Sequence, residues 1–198
     1  MLEHKEGDNI AAYDKMIRRS IDRIKDMRAL IFDLLDLTKI ESGQASRNIE
    51  DIHLNEILRN SVASIQPMAI QKDIGILVED SHPVVLKADI RDIEIVMNNL
   101  LSNAVKYNKP QGSILCKISD TPTEIMISIA DTGIGIGEAD IEKLFGEFVR
   151  IRNENTRNIS GSGLGLAIVK KILNSYDASI HVNSIPGQGS EFIVTFKK

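Results

Sequence analysis

A chain of 198 residues, 42% hydrophobic and 26% charged, holds enough apolar material for one ordinary domain plus a small extra element. A net charge of −4 and the absence of tryptophan argue against a nucleic-acid surface, which would need basic excess or aromatic stacking. The one cysteine, Cys116, excludes an internal disulfide, and no apolar run approaches the roughly 20 residues that span a bilayer.

The first long pattern runs from Asp8 to Ser42. Ile10, Ile17, Ile24 and Ile31 stand seven apart, with Tyr13, Met27 and Leu34 at the complementary positions and Ser20 as the weak member. That is an a/d heptad seam. Ile21, Leu30, Leu35 and Leu37 widen it, so more than one neighbouring helix is expected, as in a four-helix arrangement of two chains. Arg18, Arg19, Lys25 and Asp26 mark the solvated side. "ESGQAS" at 41–46 places Gly43 as a helix terminator.

"NIEDIHL" then reads as a short strand, and "LNEILRNSVASIQPMAIQKD" as an amphipathic helix bent or broken late by Pro67. "GILVED" and "PVVLKAD" read as strands joined by a polar turn around Ser81–Pro83. "DIRDIEIVMNNLLSNAVKYN" is a strong helix, since Ile93, Val96, Met97, Leu100, Leu101 and Ala104 recur at three and four. "GSILCKISD" and "EIMISIAD" are strands, and Cys116 in the first reads as a small buried hydrophobe. A short helix is expected over 138–145, and a polar, mobile loop over 149–162. "GLGLAIVKKILNSY" is a helix that opens in glycines. "ASIHVNS" and "SEFIVTF" close the chain as a hairpin. This order predicts an α+β fold, a mixed sheet with helices packed on one face.

Three stretches carry chemistry. In "NNLLSNAVKYN", Asn99, Asn103 and Lys106 share one side of the helix, with Asn98 turned away. Asn103 offers an oxygen suited to Mg²⁺, and Lys106 a charge suited to phosphate. In "IADTGIGI", Asp131 ends an apolar strand beside Gly133 and Gly135, where it can accept from an amino group deep in a pocket. In "GSGLGLAIVKK", Gly161, Gly163 and Gly165 precede or open a helix, whose free N–H groups form an anion site. Each has a plain alternative: an exposed polar row, an Asx-turn, a glycine-rich helix start. The dinucleotide fingerprint is excluded because no strand precedes the glycines. The P-loop is excluded because Leu166 follows Gly165.

In this order the stretches resemble the ATP-binding domain of sensor histidine kinases, within the wider ATPase family of gyrase, mismatch-repair proteins and the large heat-shock chaperone. "NNLLSNAVKYN" is similar to the N box, "DTGIGI" to the G1 box, "LFGEFVR" to the F box, and "GSGLGL" to the G2 box. "GQGSEF" is similar to the last glycine box, and "LIFDLLDLTKIESG" to the second helix of the dimerisation hairpin. The resemblance implies a two-layer α/β sandwich preceded by a long N-terminal helix. It implies a boundary, with 1–46 as partial dimerisation region and 47–198 as catalytic ATP-binding domain. It implies ATP with Mg²⁺ on Asn103, and Asn99 and Lys106 near the phosphates. Tyr107 would lie against adenine and Asp131 would bind its amino group, in a base pocket shaped by Gly133, Gly135 and Ile136. Arg150 would reach the terminal phosphate. Gly161, Ser162, Gly163, Leu164, Gly165 and Leu166 would wrap the phosphates, and Ser190 belongs to the last glycine box. Val149 stands where an aromatic is usual.

The reaction so implied moves the γ-phosphoryl of ATP to a histidine on the first hairpin helix, then to an aspartate of a response-regulator receiver domain. The implied partners are ATP or ADP, that receiver domain, and a second copy through the N-terminal helix, with no nucleic acid. The implied location is cytoplasmic, with membrane attachment of the full-length protein undetermined. The abrupt polar start reads as that of a fragment, and the acceptor helix is expected outside these residues. His4 lacks the acceptor pattern, and His53, His82 and His181 have no metal-ligand spacing, so zinc is not expected. The alternative function is an ATP-regulated protein-interaction module without kinase activity.

Overall fold

Alternation along the central strands decides which face of the sheet is buried. The computed structural model describes residues 3–41, 47–80, 82–151, 156–157 and 159–198. Strands β2 (Gly75–Asp80), β4 (Ser113–Asp120), β5 (Glu124–Asp131), β6 (Ser179–Ile185) and β7 (Gly189–Lys197) form one sheet in the order β2-β4-β5-β7-β6. β2 runs parallel to β4, and the other pairs are antiparallel. Register aligns Val78, Cys116, Ile129, Phe192 and Val182 in one rung across all five strands. Cys116 is fully buried there, and burial pushes its thiol up to about 12, so it packs as an inert hydrophobe. β1 (Glu50–His53) and β3 (Val85–Ala88) form a separate antiparallel pair.

Helices α2 (Leu54–Gln71), α3 (Ile90–Lys106) and α5 (Gly165–Asn174) make the second layer, so the expected two-layer arrangement is present. α3 contacts both other helices and β5. Its apolar positions, from Ile93 through Val105, are buried. Both of its ends are tied. The Asp89 side chain accepts the Arg91 N–H at 2.9 Å as an N-cap, and its other oxygen accepts the Asn48 N–H at 2.8 Å. Lys72 Nζ donates to the Val105 and Lys106 carbonyls at 2.9 and 2.7 Å, placing a cation on the negative end of the helix.

The two strands expected around the Ser81–Pro83 turn are present, and they enter different sheets. Three details differ from the sequence reading. Pro67 lies inside α2 without breaking it, because the helix continues to Gln71. The carbonyl that Pro67 leaves without a partner is that of Ala63, on the exposed side, where water can satisfy it. Helix α4 covers only Glu138–Ile141. The separate β1–β3 pair is an addition to the expected sheet. Gly43, Ser81, residues 152–155 and 158, and the side chains of His4, Lys25 and Asp26 lie outside the described residues.

Helix α1 (Glu3–Glu41) precedes this body. Its seam residues Ile10, Tyr13, Ile17, Ile24, Met27, Ile31 and Leu34 remain 46–69% exposed. Leu37 instead turns into the domain core, and Ile40 packs beside it. Past α1, Arg47 Nε pairs with Asp92 Oδ2 at 2.7 Å and its guanidinium stacks over the Tyr176 ring, 5.5 Å from the centroid. The Tyr176 hydroxyl donates to the same Asp92 oxygen at 2.8 Å and accepts the Asp89 N–H at 3.1 Å. Burial is the main cause that pushes this phenol up to about 12. No helix among the described residues is long and apolar enough to cross a membrane.

Asp89 satisfies two backbone donors at once. Asp89→Ala is therefore expected to cost about 2 kcal/mol, roughly 1 for the cap and 1 for the Asn48 bond. Urea unfolding with an unchanged slope measures this, and a loss below about 0.5 kcal/mol would contradict the double role.

Candidate functional site

The polar residues of α3 stand in one row along the helix. Asn99, Asn103 and Lys106 all face one cavity of about 580 Å³, between α3, the end of β5 and the start of α5. Asn98 is exposed on another side, as its helical phase requires. The Asn99 amide donates to the Ile95 carbonyl at 2.9 Å, which fixes its orientation.

At one end of α3 the chain turns at Tyr107, whose backbone N–H closes on the Asn103 carbonyl at 2.9 Å. The Tyr107 carbonyl accepts the Ile134 N–H at 3.1 Å. A Cβ on Gly133 would sit 2.3 Å from that carbonyl oxygen, so only glycine lets the Asp131 turn press onto the helix end. Asp131 Oδ1 accepts the Gly133 N–H at 2.7 Å. Burial raises the Asp131 carboxyl to about 6, against the lowering effect of N–H groups from Gly133 and Ser190. The Ser184 hydroxyl oxygen accepts the Ile136 N–H at 2.8 Å and lies 2.9 Å from that of Ser190, locking the turn to the closing hairpin.

At the other end, α5 meets Asn99. A Cβ on Gly165 would fall 2.3 Å from Asn99 Oδ1, so any larger residue there would push the Asn99 amide from its place. No side chain caps α5, which leaves its first N–H groups for an anion. Ser162 Oγ accepts the Leu164 N–H at 3.1 Å and donates to Asp33 Oδ2 at 2.5 Å. Arg150 Nη2 donates to the Ile159 carbonyl, which holds the guanidinium at the cavity wall.

Asn99 and Tyr107 are eight residues apart, so the two ends lie about 12 Å from each other along the helix. That separation suits an extended nucleoside polyphosphate. The donor chemistry fits as well. The half-buried Asp131 carboxylate, in the same cavity as Tyr107, suits an amino group, while amides, an ammonium, a guanidinium and open helix N–H groups suit phosphate oxygens and their Mg²⁺.

Of the residues picked from sequence, Gly135, Ile136, Gly161, Gly163, Leu166 and Ser190 also line this cavity. Gly133 and Leu164 do not; both are buried behind it, where they hold the turn and the start of α5. Sequence reading missed Ala29, Asp33, Met68 and Asp140 in the wall. Ala29 and Asp33 stand one turn apart on α1, off the heptad seam, and that spacing was the available signal.

Residues 88–198 match the family described as histidine kinase-, DNA gyrase B-, and HSP90-like ATPase. Sensor histidine kinase RcsC of Escherichia coli strain K12 is 35% identical over 167 residues, which are 83% of this chain and 18% of that protein. The chain thus spans about a fifth of the length of the curated relatives it matches. The crystal structure of full-length ShkA in complex with AMPPNP superposes with a TM-score of 0.77 at 26% identity, covering 94% of this chain and 38% of that one. The nucleotide-free catalytic domain of histidine kinase ThkA gives 0.67 at 26% identity, over 76% of this chain and 96% of that domain. The chain therefore belongs to the histidine kinase-, DNA gyrase B- and HSP90-like ATPases, and it is homologous to the catalytic domains of sensor histidine kinases.

Proposed function

We propose that this chain is the nucleotide-binding and phosphoryl-donating part of a two-component sensor histidine kinase. Residues 47–198 form its catalytic domain and 1–46 part of its dimerisation region. The observation that carries the reading is the single cavity joining the α3 row, Asp131 and the uncapped start of α5.

Bound ATP, with Mg²⁺, supplies the γ-phosphoryl group for a histidine on a helix outside this chain. Asp131 accepts the purine amino group, and Tyr107 lies against the ring. Gly135 and Ile136 complete the base pocket, with Gly133 holding the turn from behind. Asn103 gives its oxygen to the metal. Asn99 and Lys106 hold phosphate oxygens, and Arg150 balances the charge at the terminal phosphate. The loop Gly161–Gly165 and the N–H groups that follow it orient the chain of phosphates. Such transfer rests on positioning and charge stabilisation, so these residues act mostly before any bond changes. The exposed seam on α1 supports pairing with a second copy, and a receiver-domain aspartate would be the final acceptor.

Three outcomes test this reading. With γ-labelled ATP and a supplied acceptor-helix protein, acid-labile label should appear on the supplied histidine; ATP binding without any label would overturn the kinase reading. Asn103→Asp keeps the side-chain shape but sets an anion beside phosphate. It should weaken Mg-ATP binding at least about tenfold, or 1.4 kcal/mol, with melting unchanged; equal calorimetric affinity would remove Asn103 from the site. The third outcome concerns pH. Ionised Asp131 is a charged acceptor for the purine amino group; protonation, near 6, removes that charge and leaves a weaker neutral acceptor. ADP affinity should therefore fall as pH drops through 6, by at most about tenfold at pH 5 relative to Asp131→Asn measured alongside. Parallel profiles for the two proteins would refute the assignment. Folding runs the opposite way: the raised value means Asp131 favours the folded state below its ordinary range and loses that contribution as pH rises through 6.

A further inference from the structure

Helix α1 touches the cavity with a face that its heptad seam does not use. Ala29, Asp33, Leu37 and Ile40 follow one another at four, four and three, so they lie on one flank. Leu37 and Ile40 anchor that flank in the domain core, and α1 packs along α5. Asp33, one turn before the anchor, reaches into the cavity wall and accepts a hydrogen bond from the Ser162 hydroxyl at 2.5 Å. Ser162 in turn takes the Leu164 N–H at 3.1 Å. Two donors of the glycine loop are thus occupied, the hydroxyl by Asp33 and the Leu164 N–H by Ser162 Oγ. Both stand beside the Asn99–Gly165 approach that marks the phosphate end of the cleft.

A hydroxyl has one proton to give. While Ser162 donates to Asp33 it cannot donate to a phosphate oxygen. The Asp33 carboxylate also places a fixed negative charge in the wall that a polyphosphate would approach, and like charges at such range oppose each other. We propose that Asp33 is an internal competitor for the phosphate end of this site, so that docking of α1 on the glycine loop and binding of a nucleoside polyphosphate oppose one another. This rests on the nucleotide reading above. By linkage the opposition is mutual: a bound polyphosphate loosens the α1 contact by the factor by which that contact weakens nucleotide binding. The ligand chemistry that matters is the phosphate chain. A nucleoside without phosphates reaches the Asp131 end without meeting Asp33.

The test uses the whole 198-residue chain. Calorimetry with Mg²⁺ measures ADP, a non-hydrolysable ATP analogue and adenosine against wild type and Asp33→Asn, an isosteric change at a half-buried site. The variant should bind both phosphorylated ligands roughly 5- to 30-fold more tightly and leave adenosine affinity unchanged. Amide hydrogen exchange supplies the reciprocal readout. In wild type, the stretch Leu30–Leu37 should exchange faster with ADP than with adenosine, and Asp33→Asn should abolish that difference. Unchanged or weaker ADP binding by Asp33→Asn, or an equal gain for adenosine, would overturn the competition. So would slower exchange in that stretch on adding ADP. A wild-type chain that binds no phosphorylated ligand would instead bring down the nucleotide reading, and this inference with it.

Discussion

The structure is arranged around a helix that must be apolar on one side and open on another. α3 buries seven hydrophobic side chains against the sheet and its neighbouring helices, yet keeps Asn99, Asn103 and Lys106 in a row at a cavity. A helix in that position cannot rotate by one residue without burying amides or exposing Met97 and Leu100. Its ends cannot slide either, because Asp89 caps one and Lys72 the other. The Asp131 turn and the start of α5 are then placed by contact with this fixed object, through two glycines that admit a carbonyl and a carboxamide oxygen where a methyl group would clash.

Much of this was legible from residues alone. Alternation in "SILCKI" and "EIMISIAD" defines the central strands and their buried faces, and the i, i+3, i+4 recurrence in the third helix defines both its core face and its polar row. Pairing was not legible. β2 and β3 follow one another across a short turn, but local patterning names a face and never a partner, so nothing in the residues tells that they enter different sheets. Pro67 read as a disruption because local rules count the lost bond; they do not see that Ala63 faces solvent. Leu37 read as part of a seam shared with another chain, when the contact it makes is within its own.

The site shows the same division. Residue types and order pointed to Asn103, Asp131 and the glycine loop. The difference between lining a cavity and supporting its wall needs three dimensions. Gly133 and Leu164 belong to the supporting class, where the requirement is for space or for apolar volume. Asp33 escaped because its partner, Ser162, lies 129 positions away; its one-turn spacing to Ala29 sets it off the seam but names no partner.

The clasp of Arg47, Asp92 and Tyr176 has a mechanical meaning. The segment leaving α1 is fastened through Asp89 and Asp92 to the first turn of α3. The opposite tip of the same rod, about 21 Å away at Lys106, borders the ligand cavity. A tug on the connector is thus borne by a stiff strut whose far end touches the chemistry, so strain entering at residues 47–48 arrives there without passing through the sheet.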